Sequence, residues 1–106
     1  MKHFYQLSKL EAELRRLGKP YFEFLRIPVM SAGLYVLSAG RPDSQSPHRQ
    51  DEMYFVVRGR ARMRVGEEEQ PVLAGSVIFV EAGVEHQFRD IEQDLEVLVF
   101  FAPAES

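Results

Sequence analysis

Residues 40–59 read GRPDSQSPHRQDEMYFVVRG, and the change of character inside this stretch sets the reading of the whole chain. Its first half is polar and turn-rich. Its second half, Met53-Tyr54-Phe55-Val56-Val57, is apolar, aromatic and β-branched, the composition of a strand. His48 and Glu52 stand four residues apart at the boundary. In an extended chain, residues 48, 50 and 52 point to the same side, so His48 and Glu52 are able to converge on one centre. If Glu52 faces a core, Tyr54 and Val56 face it too. A second stretch, GSVIFVEAGVEHQFRD over residues 75–90, supplies His86 ahead of another strand-like segment, with Phe88 on the face of His86. Two imidazoles and one carboxylate form a candidate site for a divalent first-row metal, a donor set associated with non-haem Fe(II) and oxygen chemistry. The competing reading makes each histidine an ordinary hydrogen-bonded residue at a strand end and pairs Glu52 with an arginine.

The same punctuation continues on both sides. Strand-like runs are Tyr21–Ile27, Gly33–Leu37, Met53–Arg58, Arg60–Val65, Val77–Val80, His86–Phe88 and Glu96–Phe101, broken by Gly, Pro, Asp or Ser. Arg58-Gly59-Arg60 and Val65-Gly66-Glu67 read as turns. Ahead of them, Leu7, Leu10, Leu14 and Leu17 make one apolar stripe, predicting a helix over residues 7–17. Ser8 and Glu11 fit a capping box, and Gly18 with Pro20 ends the helix. The stripe is read as packing against the body. The expected class is all-β, an antiparallel sandwich or barrel, in one domain: an N-terminal arm and helix over 1–20 and the β body over 21–106.

Bulk composition narrows the function classes. A chain of 106 residues with 45% apolar and 27% charged residues folds around a real but small core, which association with a second copy would extend. The net charge of −3 argues against a nucleic-acid partner. The absence of cysteine excludes thiolate metal sites, thiol catalysis and disulfides. No apolar run is long enough for a helical membrane span, and the N-terminus lacks the apolar core of a signal peptide, so a cytoplasmic location without a membrane partner is the expectation. Arg60, Arg62 and Arg64 alternate with Ala61, Met63 and Val65 on one strand face. They are read as a solvated face balanced by Glu67, Glu68 and Glu69 rather than as an anion-binding stripe.

The two stretches together resemble the paired motifs of a small single-domain cupin. The first motif of that family is G-x5-H-x-H, three or four residues, then E-x6-G. The chain has Gly40, five residues, Ser46, Pro47, His48, three residues, Glu52, six residues and Gly59. The second motif is G-x5-P-x-G-x2-H-x3-N, matched by Gly75, Glu81, Ala82, Gly83, His86 and Asp90. Ser46, Glu81 and Asp90 depart from the pattern, and Ser46 removes one of the three histidines that with the glutamate usually ligate the family's metal. The resemblance implies a jelly-roll β-barrel and a divalent ion (Fe, Mn, Ni, Zn or Cu) on His48, Glu52 and His86. It also implies a homodimer. Gln45 or Gln50 offers an amide oxygen in place of the missing histidine. Tyr35, Gln45, Gln50, Tyr54 and Phe88 are the candidate pocket residues, and Leu37, Met53, Phe100 and Phe101 serve a lining, an interface or the core. Two functions follow. One is a metal-dependent enzyme of oxygenase or isomerase type acting on a small organic molecule. The other is a non-catalytic ligand-binding or structural cupin with a degenerate site.

Overall fold

A helix and six strands form among residues 1–44 and 46–106, the residues that the computed structural model describes. Helix α1 (Leu7–Leu17) is followed by β1 (Tyr21–Ile27), β2 (Met30–Leu37), β3 (Asp51–Val65), β4 (Glu68–Leu73), β5 (Val77–Val80) and β6 (His86–Ala102). All strand pairs are antiparallel, in the order β1-β2-β6-β3-β4, with β5 also paired to β3. The fold is an antiparallel β-barrel, as the resemblance implies. Among the described residues, no helix is long and apolar enough to cross a membrane.

The two long strands organise the barrel. β3 and β6 pair from Asp51↔Ala102 to Val65↔His86, and the free edge of β3 takes β5 along its first part and β4 along its second. The segment Arg58-Gly59-Arg60 is therefore not a turn, and residues 86–102 are one strand rather than two. The sequence breaks are bends within strands: the β3–β6 register shifts between Val56 and Arg62. At the bend Gly59 has φ +97°, and a Cβ there would lie 2.3 Å from the Asp94 carbonyl oxygen, so only glycine fits. At the other end of the shift, beside the Arg62↔Arg89 pair, Asp90 adopts φ +49°. Gly66 makes the expected turn into β4, which the sequence reading left out because its polar opening, Glu68-Glu69-Gln70, and Pro71 hide the strand.

Side-chain alternation separates the two faces. On β3, Glu52, Tyr54 and Val56 point inward, with Ala61 and Met63 beyond the bend, while Asp51, Met53 and Phe55 point out. The barrel core adds Leu37, Phe88, Leu95, Val97, Val99 and Phe101. A second apolar layer lies outside, where Leu10 and Leu14 of α1 cover Leu34 with Phe22, Phe24 and Leu98. The helix stripe thus packs on the body as expected. Its C-terminus is Gly18 in the left-handed conformation, whose N–H bonds Leu14 and Arg15 carbonyls. The capping box is not made: the N-cap is Gln6, without a side-chain cap, and Ser8 already lies inside the first turn. Arg62 pairs with Glu69 at 2.7 Å and Arg60 with Glu92 at 2.8 Å, in keeping with a balanced outer face.

Candidate metal centre

Three strand ends deliver the site. Glu52 is the second residue of β3, paired with Val80 of β5 and Phe101 of β6. His86 opens β6, and His48 sits in the loop before β3. Backbone hydrogen bonds stitch these segments together. The Gly83 N–H donates to the His48 carbonyl (2.7 Å), and the Ala82 N–H donates to Asp51 Oδ1 (2.8 Å). Buried Asp43 accepts the Phe88 N–H at 2.9 Å and, through its carbonyl, the Gln87 side-chain amide at 2.8 Å. The motif spacing thus becomes a spatial arrangement: the turn carrying Gly83, in the left-handed conformation, holds the loop of His48 against the start of β6.

One ligand atom from each of His48, Glu52 and His86 lies within 4.8 Å of the others. His86 Nε2 is 2.9 Å and His48 Nε2 3.9 Å from Glu52 Oε1. The side chains of Glu52 and His86 are 1% and 0% exposed, that of His48 21%. His48 Nε2, His86 Nε2 and both Glu52 oxygens are buried with no partner beyond one another, the nearest approach being the 2.9 Å contact of His86 with Glu52. The outer nitrogens explain which way the rings present their lone pairs. His86 Nδ1 contacts the Val84 carbonyl at 3.1 Å, and a carbonyl only accepts, so the proton resides on Nδ1 and Nε2 faces Glu52 with its lone pair. His48 Nδ1 lies 3.4 Å from Glu105 Oε2, which favours the same tautomer. With neutral rings, acceptors then face one another at the buried centre, an arrangement that requires a cation or a proton between them. Burial pushes the His86 imidazole down, but contact with Glu52 and the Val84 carbonyl outweighs it and leaves its pKa raised. Two imidazole nitrogens, whose rings are oriented from behind by the Val84 carbonyl and by Glu105, and a carboxylate fit a divalent metal ion.

A cavity of about 210 Å³ adjoins His48. Tyr21, Tyr35, Tyr54 and Phe101 supply aromatic walls, with Val99 among them and Glu105 at the rim. Tyr21 and Tyr35 are directly opposite in the β1–β2 register, and their rings stand at 81° with centroids 6.0 Å apart. Tyr21 reaches inward only because Gly33 has no side chain: a Cβ there would come within 2.2 Å of the Tyr21 ring and hydroxyl. The Tyr21 hydroxyl is buried without a hydrogen-bond partner. Its pKa is raised, first by burial and then by the charges of Glu105 and Glu23. Glu105 is held over the cavity by its N–H to Ser31 Oγ (2.9 Å) and by Arg26 on its carbonyl, and the Gln50 amide donates to Ser106 Oγ at 2.9 Å. Burial, with Glu23 and Glu52 nearby, leaves the Glu105 carboxyl raised despite His48.

The sequence-derived pocket set divides accordingly. Tyr35 and Tyr54 line the cavity. Phe88 sits in the core behind, its ring 5.2 Å from that of Tyr54. Gln50 is buried but turned to Ser106, and exposed Ser46 is no part of the ligand cluster. Gln45 lies outside the described residues. Tyr21 and Glu105 were missed as site residues. No local motif announces them, because one arrives through cross-strand register and the other through the segment that follows the last strand.

Comparison with known proteins gives a consistent result. A family model described as "Cupin domain" matches residues 33–101. The uncharacterized protein SCO3923 of Streptomyces coelicolor is 55% identical over 106 residues, all of both chains. Among solved structures, TT1209 from Thermus thermophilus shares 28% identity over 86% of this chain and 94% of its own, with a TM-score of 0.72. BH2720 from Bacillus halodurans is 19% identical over 96% of this chain and 82% of its own, with a TM-score of 0.79, a likeness of fold.

Proposed function

Because the chain belongs to the cupin domain family, we propose that His48, Glu52 and His86 hold a divalent metal ion and that the protein is an enzyme acting on a small organic molecule in the adjoining cavity. The observation that carries this reading is the set of buried atoms without a partner: both Glu52 oxygens and the inner nitrogens of the two histidines. A buried carboxylate left this way costs several kcal/mol unless a cation compensates it. When bound, the ion supplies Lewis acidity at open coordination positions, in the manner of oxygenase- or isomerase-type cupins. The protein's own part is positional. The Val84 carbonyl and Glu105 fix the ring orientations of His86 and His48. Tyr54, 0% exposed, and Phe101 exclude water from the centre.

A second reading is a non-catalytic ligand-binding cupin, and one observation favours it: Ser46, at the place of the family's first histidine, is exposed, and among the described histidines and carboxylates three converge on the site. The test is metal analysis of protein purified without added metal, together with thermal unfolding with and without chelator. The enzyme reading expects bound metal, a midpoint lowered by chelator, and loss of both in the double variant His48→Ala, His86→Ala. A metal-free wild type indifferent to chelator refutes the metal reading and leaves the second. We also propose a homodimer, supported by the exposed apolar row of Met53, Phe55, Val77 and Phe79 on the outer face of β3 and β5.

A further inference from the structure

The cavity beside His48 has a chemical bias of its own. Four aromatic rings wall it, those of Tyr21, Tyr35, Tyr54 and Phe101, and the Glu105 carboxylate closes its rim. Tyr21 and Tyr35 are nearly perpendicular, and Phe101 stands at 66° to the His48 ring at 5.0 Å, so the walls face the cavity from several directions. Among the described residues, no lysine or arginine lines it. Two carboxylates give the surroundings their charge, Glu105 on the cavity wall and Glu52 beyond His48. Glu23 is balanced by Arg26, its ion-pair partner at 3.0 Å, and Arg26 also donates to the backbone carbonyl of Glu105. Aromatic faces carry negative potential and attract cations that have been stripped of water, and a carboxylate at the rim adds a full charge to that attraction.

We propose that this cavity binds a small organic cation, an amine or quaternary ammonium, beside His48 on the Glu105 side of its ring. The inference deepens the reading of this site by naming its ligand class, and it stands on the cavity itself, whether or not the metal reading holds. A divalent ion on the inner nitrogen of His48 does not forbid the cation, because the imidazole stands between them. Nε2 faces Glu52 and Nδ1 faces Glu105, so each positive charge has a carboxylate on its own side of the ring. The volume of about 210 Å³ suits an ammonium head with a short chain rather than a larger cofactor. Gly33 is a size determinant: its missing side chain sets the depth at which Tyr21 lies.

The probe is choline, compared with its uncharged isostere, in which carbon replaces nitrogen, and with tert-butylacetate, the anion of similar shape. Each is titrated by calorimetry into protein stripped with chelator and into protein reloaded with Zn(II). The expected result is choline binding at least about tenfold tighter than the isostere, no binding of the anion, and loss of the choline preference in Glu105→Gln with isostere binding unchanged. Tyr21→Leu should weaken choline more than the isostere. Equal binding of choline and isostere, tighter binding of the anion, or no choline binding at millimolar concentration overturns the proposal. If a variant does not fold, the three-probe comparison on the wild type decides by itself. A choline preference in stripped protein that takes up no Zn(II) refutes the metal reading alone. Zn(II) uptake without a choline preference refutes this inference alone.

Discussion

Glu52 keeps a carboxylate where an apolar side chain would pack at lower cost, and this makes it the sharpest residue-level test. In metal-free protein, Glu52→Leu should leave stability unchanged or raise it by about 1–3 kcal/mol, since an apolar side chain replaces a buried carboxylate that only the His86 imidazole, at 2.9 Å, compensates. In protein that has acquired metal, the same change should abolish the response of the unfolding midpoint to chelator. A variant less stable than metal-free wild type would show that Glu52 is a structural group with a compensating partner. Gly59 is the opposite case, a residue whose lack of a side chain is the requirement. Gly59→Ala should cost about 2–3 kcal/mol in denaturant unfolding, because φ +97° and the Asp94 carbonyl both oppose a Cβ. An unchanged midpoint would mean that the bend relaxes. At this scale the sequence was informative where spacing is local. His48, Glu52 and His86 follow from parity and motif length. Tyr21 and Glu105 do not, because their place in the site is made by pairings such as Tyr21↔Tyr35 and Ser31↔Phe101.

Among the elements, α1 is fastened by charge as well as by leucines. Glu11 of α1 and Glu96 of β6 lie side by side, with Arg58 of β3 bonded to Glu11 and 3.3 Å from Glu96, and Arg15 of α1 nearby. Burial, and then the proximity of Glu11, pushes Glu96 up to about 7, while the contact with Glu96, and then Arg58, holds Glu11 below its usual range. The folded state therefore holds a proton on Glu96 that the unfolded chain releases near its ordinary value of 4.5. The stability this proton provides is complete below that value and is lost as pH rises to about 7. Glu96→Gln should thus match wild type at pH near 4 and exceed it at pH 8 by about 1 kcal/mol, reduced from the full shift by solvent screening and by Glu11. A constant offset at all pH values would assign no titration to the pair. Ser8→Ala should move stability by less than about 0.5 kcal/mol, because the hydroxyl caps nothing. The helix boundaries were legible because stripe and C-cap glycine agree. The continuity of β3 and β6 was not, because the glycine and acidic residues that read as chain reversals are bends inside paired strands.

For the molecule as a whole, the outer face of β3 and β5 is the feature without a cover in one chain. Met53, Phe55, Val77 and Phe79 are each 39–60% exposed, and the register sets Met53 beside Phe79 and Phe55 beside Val77. At the opposite edge of the sheet, Phe22 and Phe24 of β1 pack into the layer under α1 and are partly buried. We expect a dimeric mass by light scattering at micromolar concentration, reduced to monomer by Met53→Glu with Phe79→Glu. A monomeric wild type would remove the homodimer. Barrel class and single-domain scale were readable from short β-branched runs, but the exposure of this face was not, since both faces of these strands are apolar. The curl of the β3–β6 ribbon has one more consequence. Val65 lies thirteen residues beyond Glu52 on β3 and pairs with His86, a separation of about 40 Å in a straight strand. Yet His86 and Glu52 touch. An ion at that point would be a cross-link between distant parts of the chain, closing loops whose entropy the unfolded state would otherwise keep. Removing it should loosen the ribbon as a unit, visible as faster amide exchange at the Gly59 bend as well as beside the ligands.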